Sequence, residues 1–465
     1  MYHSLILDIG KTNVKLHLLD ENRKSVFSES RANSILTKGA FPHADVDGIF
    51  DWMVSICERL TAQFEITAFS VTTHGATAAL IDRNSEASSN GLVLPVLDYE
   101  YSSISGGEYD NLRPDFSETL SPNLPAGLNL GRQLFWLQKR YPEAFDKCTD
   151  ILMYPQYWVW RLTGQRCTEV TSLGCHTDLW SPLENDYSSM VKNSNWLPLF
   201  PKIVPAWQNL GAISPAIAKL TGLSTSCKVY AGIHDSNASF LRYKIRQNSK
   251  PFTVISTGTW TVLMSSGTST SCLSAERDML GNVDAMSSPI PCARFMGGRE
   301  FEKICAMLGG AFGDPVESSV LQELINKDVM AIPDFSGGSG PFGGHTPAFI
   351  GEIEPKQGTE TATLYCALMI DFQLDLLQSQ EDIYIEGAFL QNPLLCSIIA
   401  QLRPTQSVWL SADNTGTVQG CASLIDWQKI SSGAPLKIDL KPAVPTRLSN
   451  LKRYRDVWRE RVQDS

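Results

Sequence analysis

Two Gly-centred polar turns constrain what this chain can fold into more than any other feature. The first, Asp8-Ile9-Gly10-Lys11-Thr12-Asn13, sits between the apolar runs Leu5–Leu7 and Val14–Leu16. The second, Ser256-Thr257-Gly258-Thr259-Trp260, sits between Phe252–Ile255 and Thr261–Met264. Apolar runs on both sides of a short polar turn read as a β-hairpin. The turns fall in opposite halves of the polypeptide. One phosphate-sized turn in each half suggests a duplicated fold.

A chain of 465 residues is too long for a single core and suits two or three domains. Its 43% apolar and 19% charged residues are those of an ordinary globular protein. The net charge of −10 argues against a nucleic-acid surface or an anionic membrane as partner. The 11 cysteines are scattered, with no C-x-x-C and no zinc-finger spacing. No secretory apolar segment follows Met1, and no apolar run reaches transmembrane length. The expectation is a cytoplasmic protein with buried, reduced thiols.

The first half alternates strands and helices. Ser4–Ile9 and Val14–Asp20 read as the first hairpin, Asp47–Gln63 as a helix with Ile49, Phe50, Met53, Ile56 and Leu60 at helical spacing, and Ile66–Thr73 as a strand ending at His74-Gly75. Gly131–Tyr141 and Tyr157–Leu162 are further helices, the second stopped by Thr163-Gly164. Val229–Ala238 reads strand, Gly232, then a helix start at His234-Asp235. The second half predicts a long helix over Thr361–Gln378, with a stripe of Leu364, Leu368, Phe372 and Leu376. It then predicts strands at Ile383–Ile385 and Ser407–Leu410 and helices at Leu394–Gln401 and Gln419–Leu424, the last assigned to a second α/β unit. Ser265–Ser271 and Gly337–Gly344 read as surface loops. The polar stretch Arg242–Lys250 places a boundary between domains 1–245 and 246–465.

A phosphate needs several N–H or O–H donors converging on it, and glycine lets the backbone approach closely. Gly10, Lys11, Thr12 and Asn13 supply such donors, as do Gly258 and Thr259. Asp8 stands where metal–nucleotide sites often carry a carboxylate. Each turn alone is equally an ordinary hairpin; the pair in corresponding places favours phosphate. Asp235, at a strand-to-helix turn, suits a base accepting a hydroxyl proton, and equally suits a helix N-cap. His74 with Gly75 is a contact residue or a satisfied histidine. Tyr157 and Trp158 could stack on a sugar or fill a helix core.

In chain order, these residues resemble the FGGY carbohydrate kinases of the actin, hexokinase and heat-shock ATPase superfamily. Asp8–Lys15 is similar to the family's first phosphate motif, and Thr73-His74-Gly75 to its sugar-contacting pair. The stretch from Tyr157 to Gly164, followed by Thr168-Glu169, is similar to its aromatic helix. Gly232-Ile233-His234-Asp235 with Ala238 is similar to its catalytic-aspartate motif. Ser256–Trp260 is similar to its second phosphate motif, and Glu386-Gly387-Ala388 through Gln391-Asn392 to its adenosine segment. The resemblance spans Asp8 to about Leu424 and leans to the rhamnulokinase and fuculokinase side.

The resemblance implies an α/β fold of two ribonuclease H-like domains with a ligand cleft between them. It implies ATP and Mg²⁺ as cofactors and a ketose or deoxyketose, of the L-rhamnulose or L-fuculose type, as acceptor. Asp235 is then the general base. Asp8, Gly10, Lys11, Thr12, Asn13, Gly258, Thr259, Gly387 and Gln391 serve nucleotide and phosphate. His74, Gly75, Tyr157, Trp158, His234 and Asp235 serve the sugar. Asp8 and Asp235 serve Mg²⁺, directly or through water. The expected partner is a small-molecule sugar, with no nucleic acid and no membrane, and a homodimer is one assembly open to the chain. The chain departs from the family pattern at Lys11, where Thr is usual, at Gln156, where Asp is common, and in Pro95–Tyr101, which replaces a Trp-x-Asp-x-Arg-like sugar segment. Those departures leave room for a pentulose, polyol or sugar-acid kinase, or a catalytically inactive sugar or nucleotide sensor. An actin-like filament former is the third class.

Overall fold

Parallel strands whose carboxyl ends share one sheet edge organise the computed structural model, which describes residues 2–85, 89–104, 107–247, 250–412, 415–433, 436 and 438–463. The chain divides into two compact units. Unit 1 is Met1–Arg246 with Gly281–Pro289 and Thr415–Leu436; unit 2 is Gln247–Leu280, Ile290–Asn414 and Lys437–Ser465. Residues 248 and 249 of the expected boundary stretch lie outside the described residues.

In unit 1 the apolar run before the first turn forms strand His3–Ile9, and the run after it forms Asn13–Leu19. They pair antiparallel with Ile9 opposite Val14. Ser25–Ala32 extends this side of the sheet. On the other side Ile66–Thr73 runs parallel to His3–Ile9, with Ile9 opposite Thr73. Lys228–Tyr230 and then Ile233–His234 lie parallel to Ile66–Thr73, with His234 opposite Thr73. Asn209–Ala212 closes the edge. Ile9, Thr73 and His234 therefore end at one level, and whatever follows each of them emerges together.

Helix Val46–Thr61 is capped by the Asp45 carboxylate on Gly48 N and buries Ile49, Phe50, Met53, Ile56 and Leu60, the face read from spacing. Helix Tyr154–Thr163 ends at Gly164, whose φ of 75° lets its N–H close on Trp160 O. The helix read over Gln419–Leu424 forms as Gly416–Ile425, but it belongs to unit 1 rather than to a second α/β unit. It packs on strands Ile66–Thr73 and His3–Ile9, with Cys421 Sγ 3.2 Å from Ser70 Oγ. Its small residues explain the fit, since a Cβ on Gly420 would lie 1.7 Å from Ala238 O. That contact is long-range, and no local pattern carries it.

Unit 2 repeats the same local design. Phe252–Thr257 and Thr261–Ser266 form the second hairpin, and Asp382–Gly387 runs parallel to Phe252–Thr257 with Gly387 opposite Thr257. Pro289–Phe295, Val408–Ser411 and Leu440–Pro442 flank these strands. Ser265 and Ser266, expected in a surface loop, belong to the hairpin and are buried. The helix predicted with one apolar stripe, Gly358–Leu376, is instead buried on all sides from Gly358 to Asp371. Its Thr359, Thr361, Thr363 and Gln373 are buried too, and each hydroxyl, and the Gln373 N–H, finds a backbone carbonyl. Leu451–Gln463 is a C-terminal helix absent from the expectations. Its buried Leu451, Tyr454, Trp458 and Val462 stand at helical spacing, a signal present in the sequence. None of the 11 cysteines forms a disulfide, and all are buried or half-buried. Among the described residues no helix is long and apolar enough to cross a membrane.

Candidate active site

Because Ile9, Thr73 and His234 end level, the first turn, His74-Gly75 and Asp235 gather at the carboxyl end of the unit 1 sheet. Such edges are where open α/β sheets bind ligands. The first turn closes through Gly10 N to Asn13 O at 2.9 Å. Asn33 pins it, donating its backbone N–H to Thr12 O at 2.8 Å and its side-chain amide to Gly10 O at 2.8 Å. Sequence reading passed over Asn33, whose work is two backbone contacts and leaves no motif. Thr12 and Asn13 are exposed at the tip.

Asp235 opens helix Asp235–Gln247. Its Oδ1 accepts from Ser236 N at 2.6 Å, not from the N–H two or three residues on that an N-cap serves. The carboxylate is 28% exposed. Burial pushes its pKa up, and the neighbouring His74 opposes the shift. Burial followed by the Asp235 charge also raises Asp8 to about 7, while Lys15 pulls it down. Two carboxylates thus share a poorly solvated edge.

His234 is fixed on all sides. Its backbone N–H donates to Thr171 Oγ1 at 3.0 Å, and Thr171 donates that hydroxyl to Glu169 Oε2 at 2.6 Å. Its Nδ1 lies 3.1 Å from the Asn237 side-chain amide and its Nε2 3.2 Å from Asp235 Oδ1. Burial lowers its pKa to about 4, so the ring is neutral near pH 7. With Asn237 donating to Nδ1, the proton sits on Nε2 and points at Asp235. Gly75 is required by the same ring: a Cβ there would lie 2.8 Å from His234 Nε2. Glu169, Thr171 and Asn237 were not among the expected site residues. Their parts depend on the tertiary approach of the short helix Val170–Leu173 to strand Ile233–His234.

His74 is neutral as well, its pKa lowered chiefly by burial. Its Nδ1 lies 3.1 Å from Gly75 O, which makes that nitrogen the donor and leaves Nε2 an acceptor. The rings of Tyr99 and Tyr154 pack against it at 5.4 and 5.3 Å. Tyr157 and Trp158, expected as a sugar stack, are instead fully buried at 0% exposure in the unit 1 core. Tyr157 donates its hydroxyl to Asn90 O at 3.0 Å. The partly exposed aromatic surface beside His74 comes from Tyr99; Tyr154, one turn before Tyr157, packs on His74 from within the core.

In unit 2 the second turn closes through Gly258 N to Trp260 O at 2.9 Å. Thr257 Oγ1 donates to Glu386 O at 2.6 Å and accepts from Phe389 N at 2.9 Å, tying the turn to the end of strand Asp382–Gly387. Gly387, at φ 89°, passes so close that a Cβ would lie 2.0 Å from Thr257 O. A Cβ on Gly298 would lie 2.3 Å from Gly258 O, so the start of helix Gly297–Leu308, with its free N–H groups, abuts the turn. Thr259, Ser256 and Gln391 are exposed, whereas Asn392 caps helix Pro393–Leu402 through Leu395 N at 3.1 Å.

This donor set fits a nucleotide phosphate: a backbone cradle that tolerates no Cβ at Gly298 or Gly387, exposed hydroxyls and a helix start. Among the described residues no group of three His, Cys, Asp or Glu could hold a metal by itself. The fit for Mg²⁺ is the kind that completes its shell with phosphate and water around one or two carboxylates, with Asp8 suited to that part.

Residues 3–241 match the family model "FGGY family of carbohydrate kinases, N-terminal domain", and residues 249–433 match "Carbohydrate kinase FGGY, C-terminal domain". The crystal structure of a carbohydrate kinase from Novosphingobium aromaticivorans is similar over 99% of this chain and 98% of that one, with TM-score 0.88 and 33% identity. A ligand-bound xylulose kinase from Lactobacillus acidophilus shares the fold at TM-score 0.79 and 17% identity, over 100% of this chain and 98% of that one. The L-fuculokinase of Escherichia coli (strain K12) is 25% identical over 272 residues, 56% of this chain and 56% of its own length. A probable L-xylulose kinase of Pasteurella multocida is 23% identical over 277 residues, 57% of this chain and 56% of its own. The chain spans about half the length of the curated relatives it matches.

Proposed function

Because this chain belongs to the FGGY family of carbohydrate kinases, we propose that it transfers a phosphoryl group from ATP to a sugar hydroxyl, with Asp235 as general base. The observation that carries the reading is the carboxylate of Asp235. It is partly exposed at the strand-end edge, not used as a helix cap, and faces the Nε2–H of a neutral His234. A base in this role must sit within hydrogen-bond reach of the attacking hydroxyl and hold a pKa above the ordinary carboxylate range. Burial supplies the second condition.

His74 Nε2 accepts from a second sugar hydroxyl and orients the ring, and the half-buried Tyr99 provides the apolar wall. Asp8 would hold Mg²⁺ directly or through water; Gly10, Thr12 and Asn13 would serve phosphate, and Gly258, Thr259, Gly387 and Gln391 would serve the nucleotide. When bound, ATP would supply the electrophilic γ-phosphorus and Mg²⁺ would offset the charge on the leaving ADP, while Asp235 takes the hydroxyl proton. The acceptor is a ketose or deoxyketose of the L-fuculose or L-rhamnulose type; the similarity to an L-fuculokinase and a probable L-xylulose kinase supports a ketose.

The test is ADP release with ATP and Mg²⁺ across ketoses, deoxyketoses, pentuloses, polyols and sugar acids. One or a few acceptors should respond, and Asp235→Asn should lower kcat by about 10²- to 10⁴-fold with little change in sugar affinity. Near-normal turnover by Asp235→Asn would remove the assigned base. Sugar binding with no ADP from any acceptor would favour a sensor on the same fold.

A further inference from the structure

Lys11 does not extend from the first turn as a free phosphate ligand. Its ammonium is paired with Asp98 Oδ1, lies 3.4 Å from Glu100 Oε2, and sits 4.6 Å from the centre of the Tyr99 ring. The segment it grips is rigid. Asp98 N donates to Pro42 O at 3.0 Å, Gly127 N donates to Tyr99 O at 2.7 Å, and Glu100 N returns to Asp98 Oδ1 at 3.2 Å. The same Tyr99 ring meets His74 in an edge-type contact. Lys11 and Asp235 both act electrostatically on His74, so turn, segment and base belong to one polar cluster within unit 1.

Deepening the kinase reading on which it rests, we propose that Lys11 is a positioning residue for sugar recognition, holding the Asp98 carboxylate at the pocket wall, and that the acceptor is an uncharged polyhydroxy sugar rather than a sugar acid. Asp98 is the buried member of the pair, at 11% side-chain exposure, and Lys11 is at 22%. A carboxylate fixed in this way accepts hydroxyl protons in a set direction, which suits a diol. The local charge decides against an anion. The Lys11 ammonium is already held by two carboxylates, Asp98 and Glu100, so the group is net negative and offers no cation to a substrate carboxylate. A substrate carboxylate would meet an excess of like charge in a poorly solvated edge. As a stability device the pair carries little weight, since ion pairs near solvent contribute little to folding.

Binding without ATP separates this inference from the kinase reading. Calorimetric titration of the intact protein with neutral ketoses, polyols and the corresponding aldonates should give affinity for neutral sugars only. Lys11→Thr should weaken sugar binding and raise sugar KM about 10-fold, with kcat and ATP KM nearly unchanged. Lys11→Arg should restore most of that loss. Glu100→Gln, which removes one surface charge, should narrow the discrimination against aldonates. A Lys11→Thr protein with raised ATP KM and unaltered sugar binding would overturn the assignment, as would a wild-type protein that binds aldonates as well as neutral sugars. Lys11-dependent sugar binding with no phosphoryl transfer would sink the kinase reading and leave the role of Lys11 standing.

Discussion

The two hairpin turns share a backbone and differ in charge. In both, an antiparallel hairpin lies beside a parallel strand, and the turn glycine donates its N–H across the turn at 2.9 Å. Asp8 in unit 1 and Ser256 in unit 2 each stand one residue before the strand end. His74 follows the parallel strand in unit 1, where Ala388 follows Gly387 in unit 2. The first edge gathers carboxylates, a lysine and neutral imidazoles. The second offers hydroxyls, bare backbone and a helix start. One architecture thus carries an edge rich in titratable side chains and an edge rich in hydroxyls and bare backbone, and side chains at matching register positions make the difference.

The sharpest way to break this comparison is to exchange chemistry at the matching positions. Asp8→Asn should lower kcat by about 10²- to 10³-fold, the loss typical of a preorganised charge at a phosphoryl site. Ser256→Ala should change it by less than a few-fold. Steady-state kinetics on both variants decide the matter; equal losses would make the two turns functionally equivalent.

The glycines that close each edge give a smaller contrast. Gly75→Ala meets the ring of His234, which can yield only by loosening its contacts to Asn237 and Asp235, so kcat should fall by about 10-fold, comparable to losing one well-placed hydrogen bond, with a smaller drop in melting temperature than at Gly387. Gly387→Ala meets the fixed carbonyl of Thr257 at a φ of 89°. It should instead lower the melting temperature and raise ATP KM with sugar KM unchanged. Kinetics and thermal melts on the two variants separate these patterns.

The mildest contrast concerns one buried glutamate in each unit. Glu169 and Glu300 are fully buried, and burial raises each to about 7 from 4.5. Each native carboxyl holds its proton more tightly than the unfolded chain does. Its stabilising contribution is complete below about pH 4.5 and is lost as pH rises through 7. Glu300→Gln keeps an acceptor for the Tyr365 hydroxyl and removes the titration. It should flatten the decline in melting temperature between pH 5 and 8, by a few degrees at pH 8. Glu169→Gln should flatten the same slope and also perturb kcat, because Glu169 holds Thr171 beneath His234. Identical kinetic behaviour of the two variants would dissolve that distinction.

Local sequence sufficed for both hairpins, the strand Ile66–Thr73, helix Val46–Thr61 and the glycine stop at Gly164. Each depends on side-chain period or on a backbone angle that one residue type supplies. Asp235, His74 and the turn residues were legible as candidates because chemistry at a strand end needs those groups. Tyr157 and Trp158 misled because helical spacing leaves open which face of an aromatic helix is buried; packing in the unit 1 core settled it. The Gly358–Leu376 stripe misled for a related reason, since threonines and a glutamine can be buried once their donors find backbone carbonyls.

What the sequence determined by itself was the repeated strand–turn–strand grammar and the residue types available at each edge. What only the tertiary structure decided was company: Lys11 with Asp98, Gly75 under His234, Thr171 with Glu169, and helix Gly416–Ile425 returning to the first sheet. The physical reason is range. Propensity, capping and turn geometry act over a few residues. Desolvation, ion pairing and close packing join residues tens to hundreds of positions apart, and they set which carboxylate holds its proton and which imidazole stays neutral.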